Sequence, residues 1–132
     1  MGKLAAKKGD MVVGVDTHMV LMPLGTAVVV APQQLPFAGP LTGGVSRTVL
    51  IDGQPAATEG STALNGMPHV PLPPAMGFVQ APGNQGKVVG GSGTVWIEGR
   101  AAARDGDEAT TCNDPPKERT ARVVAAGTVW IG

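Results

Sequence analysis

The sequence predicts an all-β fold assembled from three similar units. The string "AAKKGD" from Ala5 returns as "AATEGS" from Ala56 and "AARDGD" from Ala102. A second string, "TVLIDG" from Thr48, returns as "TVWIEG" from Thr94 and "TVWIG" from Thr128. Two independent markers in the same order, three times over, imply one supersecondary unit used repeatedly. A third observation selects β structure: twenty Gly and twelve Pro in 132 residues count against long helices, whose interiors both residues destabilise.

The units run approximately over residues 1–53, 54–99 and 100–132, within one domain spanning 1–132. In each, Thr-Val followed by Leu or Trp and then Ile forms a run of β-formers bounded by Gly, so residues 47–51, 94–98 and 128–131 read as equivalent strands. Apolar pieces that precede them, at 27–30, 87–90 and 121–124, are the expected hairpin partners. In the first unit the connection over 31–46 is long and reads as an Ω-like excursion. The spacing between markers shortens along the chain, from Gly9–Thr48 to Gly60–Thr94 to Gly106–Thr128: strands are kept while loops are trimmed. Closure of the units about a pseudo-threefold axis would protect strand edges.

Residues 17–46 and 60–86 contain no Asp, Glu, Lys or Arg, yet hold nine of the twelve prolines. Because Pro cannot donate to a ladder, these segments read as ordered apolar loops. Their Val, Leu and Met content is the opposite of a disordered composition.

Charge and composition exclude several functions. Ten basic residues cancel ten acidic ones, and the aromatic residues are only Phe37, Phe78, Trp96 and Trp130, so the basic and stacking surface of a nucleic-acid binder is missing. The start lacks the apolar core of a secretory signal, which points to synthesis in the cytoplasm. The apolar stretch 19–31 is broken by Pro23 and is too short for a spanning helix. Cys112 is the single cysteine, so no internal disulfide forms.

Chemistry concentrates at matching places in the units. His18 lies eight residues after Asp10, His69 eight after Ser61 and Cys112 five after Asp107, and these are the only His and Cys residues. Two imidazoles and a thiolate converging from three units suit zinc. A tetrahedral site wants a fourth donor; Asp16, Asn113, Asp114, a backbone carbonyl or a water are the candidates. Three ligands with an open position also describe catalytic zinc, so a small zinc hydrolase is an alternative, but no carboxylate occupies an HExxH-type position. A β-trefoil carbohydrate-binding module is the rival of another class, although the Gln-x-Trp signature and abundant aromatics of trefoils are missing. Trp96, Trp130 and Leu50, at one strand position, read as repeated packing residues. Asp10, Ser61 and Asp107 read as turn-fixing side chains, Met19, Met22, Met67 and Met76 as packing, and residues 117–122 as a solvated loop and turn.

The stretch "GRAAARDGDEATTC", with "DGQPAAT" and "EGRAAAR", resembles the PAAR-repeat proteins. That resemblance implies a small β-rich cone capping the trimeric, VgrG-like spike of a contractile injection system: type VI secretion, an extracellular tail-like particle or a phage tail. It implies one zinc ion, with iron as the alternative, near a sharp apex, held in the family by three His and one Cys. His18, His69 and Cys112 match three of these ligands, and the family's remaining His has no counterpart. It further implies a passive, non-enzymatic tip, strand addition to the spike at the broad base, possible effector cargo, and transient contact with a target membrane after assembly into the particle. With the last repeat strand at Gly132, a bare tip without a toxin extension is expected.

Overall fold

The computed structural model describes residues 2–113 and 119–132. Among them the chain is all β, as expected, with thirteen strands and no helix. In chain order these are β1 (Lys3–Leu4), β2 (Met11–Leu24), β3 (Ala27–Gly43), β4 (Leu50–Ile51), β5 (Gln54–Pro55), β6 (Thr62–Leu64), β7 (Gly77–Phe78), β8 (Gln85–Val88), β9 (Trp96–Ile97), β10 (Arg100–Ala101), β11 (Glu108–Thr110), β12 (Ala121–Val124) and β13 (Trp130–Ile131). Asp114, Lys117 and Glu118 lie outside the described residues, and Ala121 opens β12 instead of belonging to a loop.

Six strands close an antiparallel ring. β2 pairs with β3, β3 with β6, β6 with β8, β8 with β11, β11 with β12, and β12 with β2 again. Closure removes the free edges that would otherwise invite pairing with other chains. The interior is narrow and is filled mostly by Ala and Val, with Phe37 and Leu41 the largest buried apolar side chains.

On the side of the ring that precedes β2, the three Ala-Ala strings meet. The Ala6 N–H donates to the Ala103 carbonyl, Ala103 to Ala57, and Ala57 to Ala6, at 2.9, 3.0 and 3.0 Å, a closed circuit. Bridges join Lys7 to Ala56, Thr58 to Ala102 and Arg104 to Ala5. Three backbones approaching one point leave room for a methyl group and nothing larger, and Ala6, Ala57 and Ala103 are each 0 % exposed. The remainder of the string has its own cause. Gly9, Gly60 and Gly106 adopt φ of +95°, +94° and +84°, a region costly for residues with a Cβ. Asp10, Ser61 and Asp107 accept from the N–H of Lys7, Thr58 and Arg104 at 3.0, 2.9 and 2.7 Å, fixing the turns as expected.

The second string forms three two-stranded ribbons, with different partners from those expected. The pairing with 27–30, 87–90 and 121–124 does not form, because those residues contribute to the long hairpin and the ring. Instead β4 turns back onto β5, β9 onto β10, and β13 pairs with β1. The turns Asp52-Gly53 and Glu98-Gly99 carry φ of +50°, +80° and +51°, +78°, the pair of left-handed residues that matches strand twist in a two-residue hairpin. Alternation points Ile51 and Ile97 inward, at 7 % and 8 % exposure, and turns Leu50, Trp96 and Trp130 outward, at 62, 62 and 65 %. The three are therefore not packing residues of this chain.

The largest departure lies in residues 17–46, expected as loop. β2 and β3 form one hairpin in continuous register from Met11↔Pro40 to Leu24↔Ala27. Proline is tolerated because of parity. The Leu41 N–H donates to the Asp10 carbonyl at 2.7 Å, so odd residues of β3 and even residues of β2 make the ladder between them. Pro32, Pro36 and Pro40 are even and Pro23 odd, so all four point their missing N–H away from it. Ala38 shares that parity and bonds outward, donating to Asn65 Oδ1 at 3.2 Å and accepting from the Gly66 N–H at 2.9 Å. At the turn, Gly25 supplies φ +61°. Residues 60–86 fit the loop expectation better, with β6, β7 and the start of β8 as their only strands.

Because the Ala-Ala circuit is close-packed, Ala57→Val is expected to lower stability by about 1–3 kcal/mol through overpacking. Urea unfolding reads this directly, and a midpoint equal to that of the parent chain would contradict it.

Candidate metal centre

Period-two alternation along β2 sends Val12, Asp16, His18 and Val20 into the ring, all of them buried. Asp16 and His18, two residues apart, therefore share one face. His69 arrives from the loop after β6, and Cys112 follows β11 by two residues. The structure thus brings together the three residues singled out by repeat phase and adds Asp16. One donor atom from each of Asp16, His18, His69 and Cys112 lies within 4.8 Å of all the others.

The carboxylate is the hub. Asp16 Oδ2 pairs with His69 Nε2 at 2.7 Å and accepts from the Cys112 thiol at 3.1 Å, while Cys112 Sγ lies 3.6 Å from His18 Nε2. Asp16 Oδ1 accepts from the Thr111 hydroxyl. Asp16 is 0 % and His18 1 % exposed, so the carboxylate has left water and depends on these partners. Burial pushes the Cys112 thiol up to about 11, with the Asp16 hydrogen bond and charge adding to the rise. The His18 ring packs edge-on against His69 and Phe78, with centroids 5.0 and 5.5 Å apart.

The loop side is organised by amides. Asn65 Nδ2 faces His69 Nδ1 at 3.4 Å, and Asn84 Oδ1 accepts the His69 N–H at 2.9 Å. Asn113, one of the candidates for the fourth donor, is otherwise engaged: its Oδ1 accepts the Thr17 N–H at 2.8 Å and its Nδ2 donates to Thr120 Oγ1 at 3.1 Å. Asp114, another candidate, lies outside the described residues. Met67 and Met76 are exposed and do not pack as expected. A depression of about 280 Å³ lined by Gln80, Ala81, Gly83, Gln85 and Asn113 reaches His18 and Cys112 and offers an ion a way in. Thr111, Asn65 and Asn84 carried no signal in the repeat pattern. Asp16 carried one, its spacing of two from His18, which becomes readable only once residues 11–24 are known to be a strand.

The donor set fits a transition-metal ion. Zinc with ligands roughly 2.0–2.3 Å away sets donor separations of roughly 3.3–3.8 Å in a tetrahedron, within the span of the separations found here. Imidazole, thiolate and carboxylate together suit a borderline ion better than a hard one such as calcium or magnesium. An ion would displace the protons that now lie between Asp16, His69 and Cys112.

A closed β ring holding such a cluster defines a small all-β protein with a site that could hold a metal ion. A family model of the PAAR motif matches residues 80–132, which supports a PAAR-repeat protein, the family that the sequence strings resemble. The match includes Cys112, whereas Asp16, His18 and His69 precede it. No curated protein and no solved structure matches the chain.

A thiol pushed up to about 11 stays protonated at neutral pH, so an ion must displace its proton. Metal affinity is accordingly expected to rise between pH 7.5 and 9, by about tenfold per pH unit for one displaced proton. Competition titration with a chelator across this range tests it, and a flat profile would exclude thiolate ligation.

Proposed function

We propose that this protein is the tip of the membrane-puncturing spike of a contractile injection system. It is seated on the end of a trimeric, VgrG-like spike protein and braced by one zinc ion held by Asp16, His18, His69 and Cys112. The carrying observation is the trio Leu50, Trp96 and Trp130: one strand position in three ribbons, each side chain more than half exposed. A trimer presents three identical ends, and three similar ribbons on one chain can meet each with a similar surface. On this reading residues 1–53, 54–99 and 100–132 are three copies of one unit, and a monomer caps a trimer. Large apolar residues left in water gain by being covered, and the ribbon ends offer backbone for strand addition.

The PAAR motif over residues 80–132 supports association with a spike complex, and the four-donor cluster supports a resident metal. Zinc is favoured over iron because two imidazoles, one thiolate and one carboxylate give it a closed tetrahedral shell. With all four positions filled by protein, the metal is structural and the protein transmits force without catalysing a reaction. The tip is made in the bacterial cytoplasm, joins the particle there, and meets the target membrane, with or without effector cargo, when the sheath contracts.

Two measurements test this. Elemental mass spectrometry of protein purified without a metal column is expected to find about one zinc per chain, lost in His69→Ala and in Cys112→Ser together with thermal stability. Replacing Leu50, Trp96 and Trp130 together by Asp should abolish co-elution with the trimeric spike protein while leaving the zinc content intact. Retained co-elution would remove the basis for docking through the ribbons.

A further inference from the structure

The loop that carries His69 is held by little apolar burial. Met67, Val70, Leu72 and Met76 are 83, 71, 52 and 57 % exposed, so hydrophobic packing contributes little to where His69 sits. Hydrogen bonds must place it. Upstream, the Asn65 N–H donates to the Asn84 carbonyl at 2.8 Å, the Gly66 N–H to the Ala38 carbonyl at 2.9 Å, and the His69 N–H to Asn84 Oδ1 at 2.9 Å. Downstream, the Met76 N–H donates to the Leu21 carbonyl at 2.8 Å.

Between residues 70 and 75, among the described residues, the hydrogen bonds from this loop to the rest of the protein run to Gln33. Its Nε2 donates to the Leu72 carbonyl at 2.9 Å and its Oε1 accepts the Leu72 N–H at 2.9 Å. One primary amide thereby satisfies both backbone groups of one residue, as a neighbouring strand would. Gln33 also stands directly opposite His18 in the hairpin register. It therefore ties the loop bearing His69 to the strand pair bearing Asp16 and His18.

We propose that Gln33 is a positioning residue for the metal centre: by clamping Leu72 it holds His69 against Asp16 and His18 before an ion arrives. The inference rests on the metal-site reading above and extends it to a residue that touches no ligand atom. A loop with exposed apolar side chains loses conformational freedom when its His binds an ion, and a clamp made beforehand removes that cost from binding. Residues that orient ligands in this way commonly change metal affinity by roughly 10–100-fold. Leucine matches the size of glutamine but makes neither bond, and asparagine is one methylene too short to make both.

The experiment compares the full chain with Gln33→Leu and Gln33→Asn by Zn²⁺ titration against a chromophoric chelator. It adds the thermal midpoint of the zinc-free proteins and amide exchange at His69 and Leu72. The expected result is a Zn²⁺ affinity lower by about tenfold or more in both variants, an unchanged zinc-free midpoint, and faster exchange at both amides. Affinity equal to that of the parent chain would overturn the proposal. So would an affinity loss that merely follows an equal loss of zinc-free stability. If the parent chain binds no Zn²⁺, the metal reading fails by itself and exchange decides the clamp: faster exchange at His69 in the variants upholds it, and unchanged exchange overturns it.

Discussion

The structure depends on the closed circuit of three hydrogen bonds among Ala6, Ala57 and Ala103. Each bond is worth only about 0.5–1.5 kcal/mol net, but a buried peptide group left unpaired costs about 1–3 kcal/mol. The circuit is therefore favourable when complete and unfavourable when any member is missing. From each alanine pair the chain continues through a Gly turn whose N–H donates to the ring, Gly9 to Leu41, Gly60 to Val88 and Gly106 to Val123, at 3.0, 2.8 and 2.8 Å. The circuit thus fixes where three ring strands begin and where the ribbons are attached. Ala-Ala-x-x-Gly is the sequence trace of this geometry, with small side chains where backbones meet and glycine where φ must be positive.

That explains which parts of the fold were legible. A backbone junction used three times leaves three copies of its constraint in the sequence, so the β class and the two markers could be read without neighbours. The partner of each ribbon strand was misread because proximity along the chain favoured the preceding apolar piece. The better signal was local, Asp52-Gly53 and Glu98-Gly99, two-residue turns that send the strand forward onto Gln54–Pro55 and Arg100–Ala101. The long hairpin was missed because prolines were counted instead of placed. Pro32, Pro36 and Pro40 recur every four residues, a spacing that keeps one side of a strand free of proline and is compatible with a ladder on that side.

The site shows the same division. Repeat phase located His18, His69 and Cys112, since each follows a turn of the same kind, but it could not rank Asp16, which has no equivalent in the other segments. Only the alternation of β2 places its carboxylate beside His18. A carboxylate from Asp16 in place of the imidazole that the family resemblance implies would have an electrostatic consequence. A divalent ion with one thiolate, one carboxylate and two neutral imidazoles carries no net charge. Residues 17–46 and 60–86, which supply His18 and His69 and begin directly after Asp16 in the first case, contain no Asp, Glu, Lys or Arg to balance an ion. Burial of a net charge is costly, and a neutral centre avoids that cost in this surrounding.

The position of the cluster changes how a metal would act on the proposed spike. It does not lie at the extremity of the hairpin. Six more residue pairs separate His18↔Gln33 from the turn, ending at Leu24↔Ala27, which is roughly 20 Å of strand. Beyond the cluster the hairpin is joined by β7 at Val20↔Phe78 and Leu21↔Gly77, and Leu24, Val28 and Val30 at its end are more than half exposed. An ion held by Asp16, His18, His69 and Cys112 would tie β2 to the loop after β6 and to the end of β11. Those three elements enter the ring at different points around its circumference. A load on the hairpin would then be shared among three parts of the ring instead of passing down the β2–β3 ladder alone. On the proposed reading a metal would brace the root of this hairpin, and the hairpin itself would form the point.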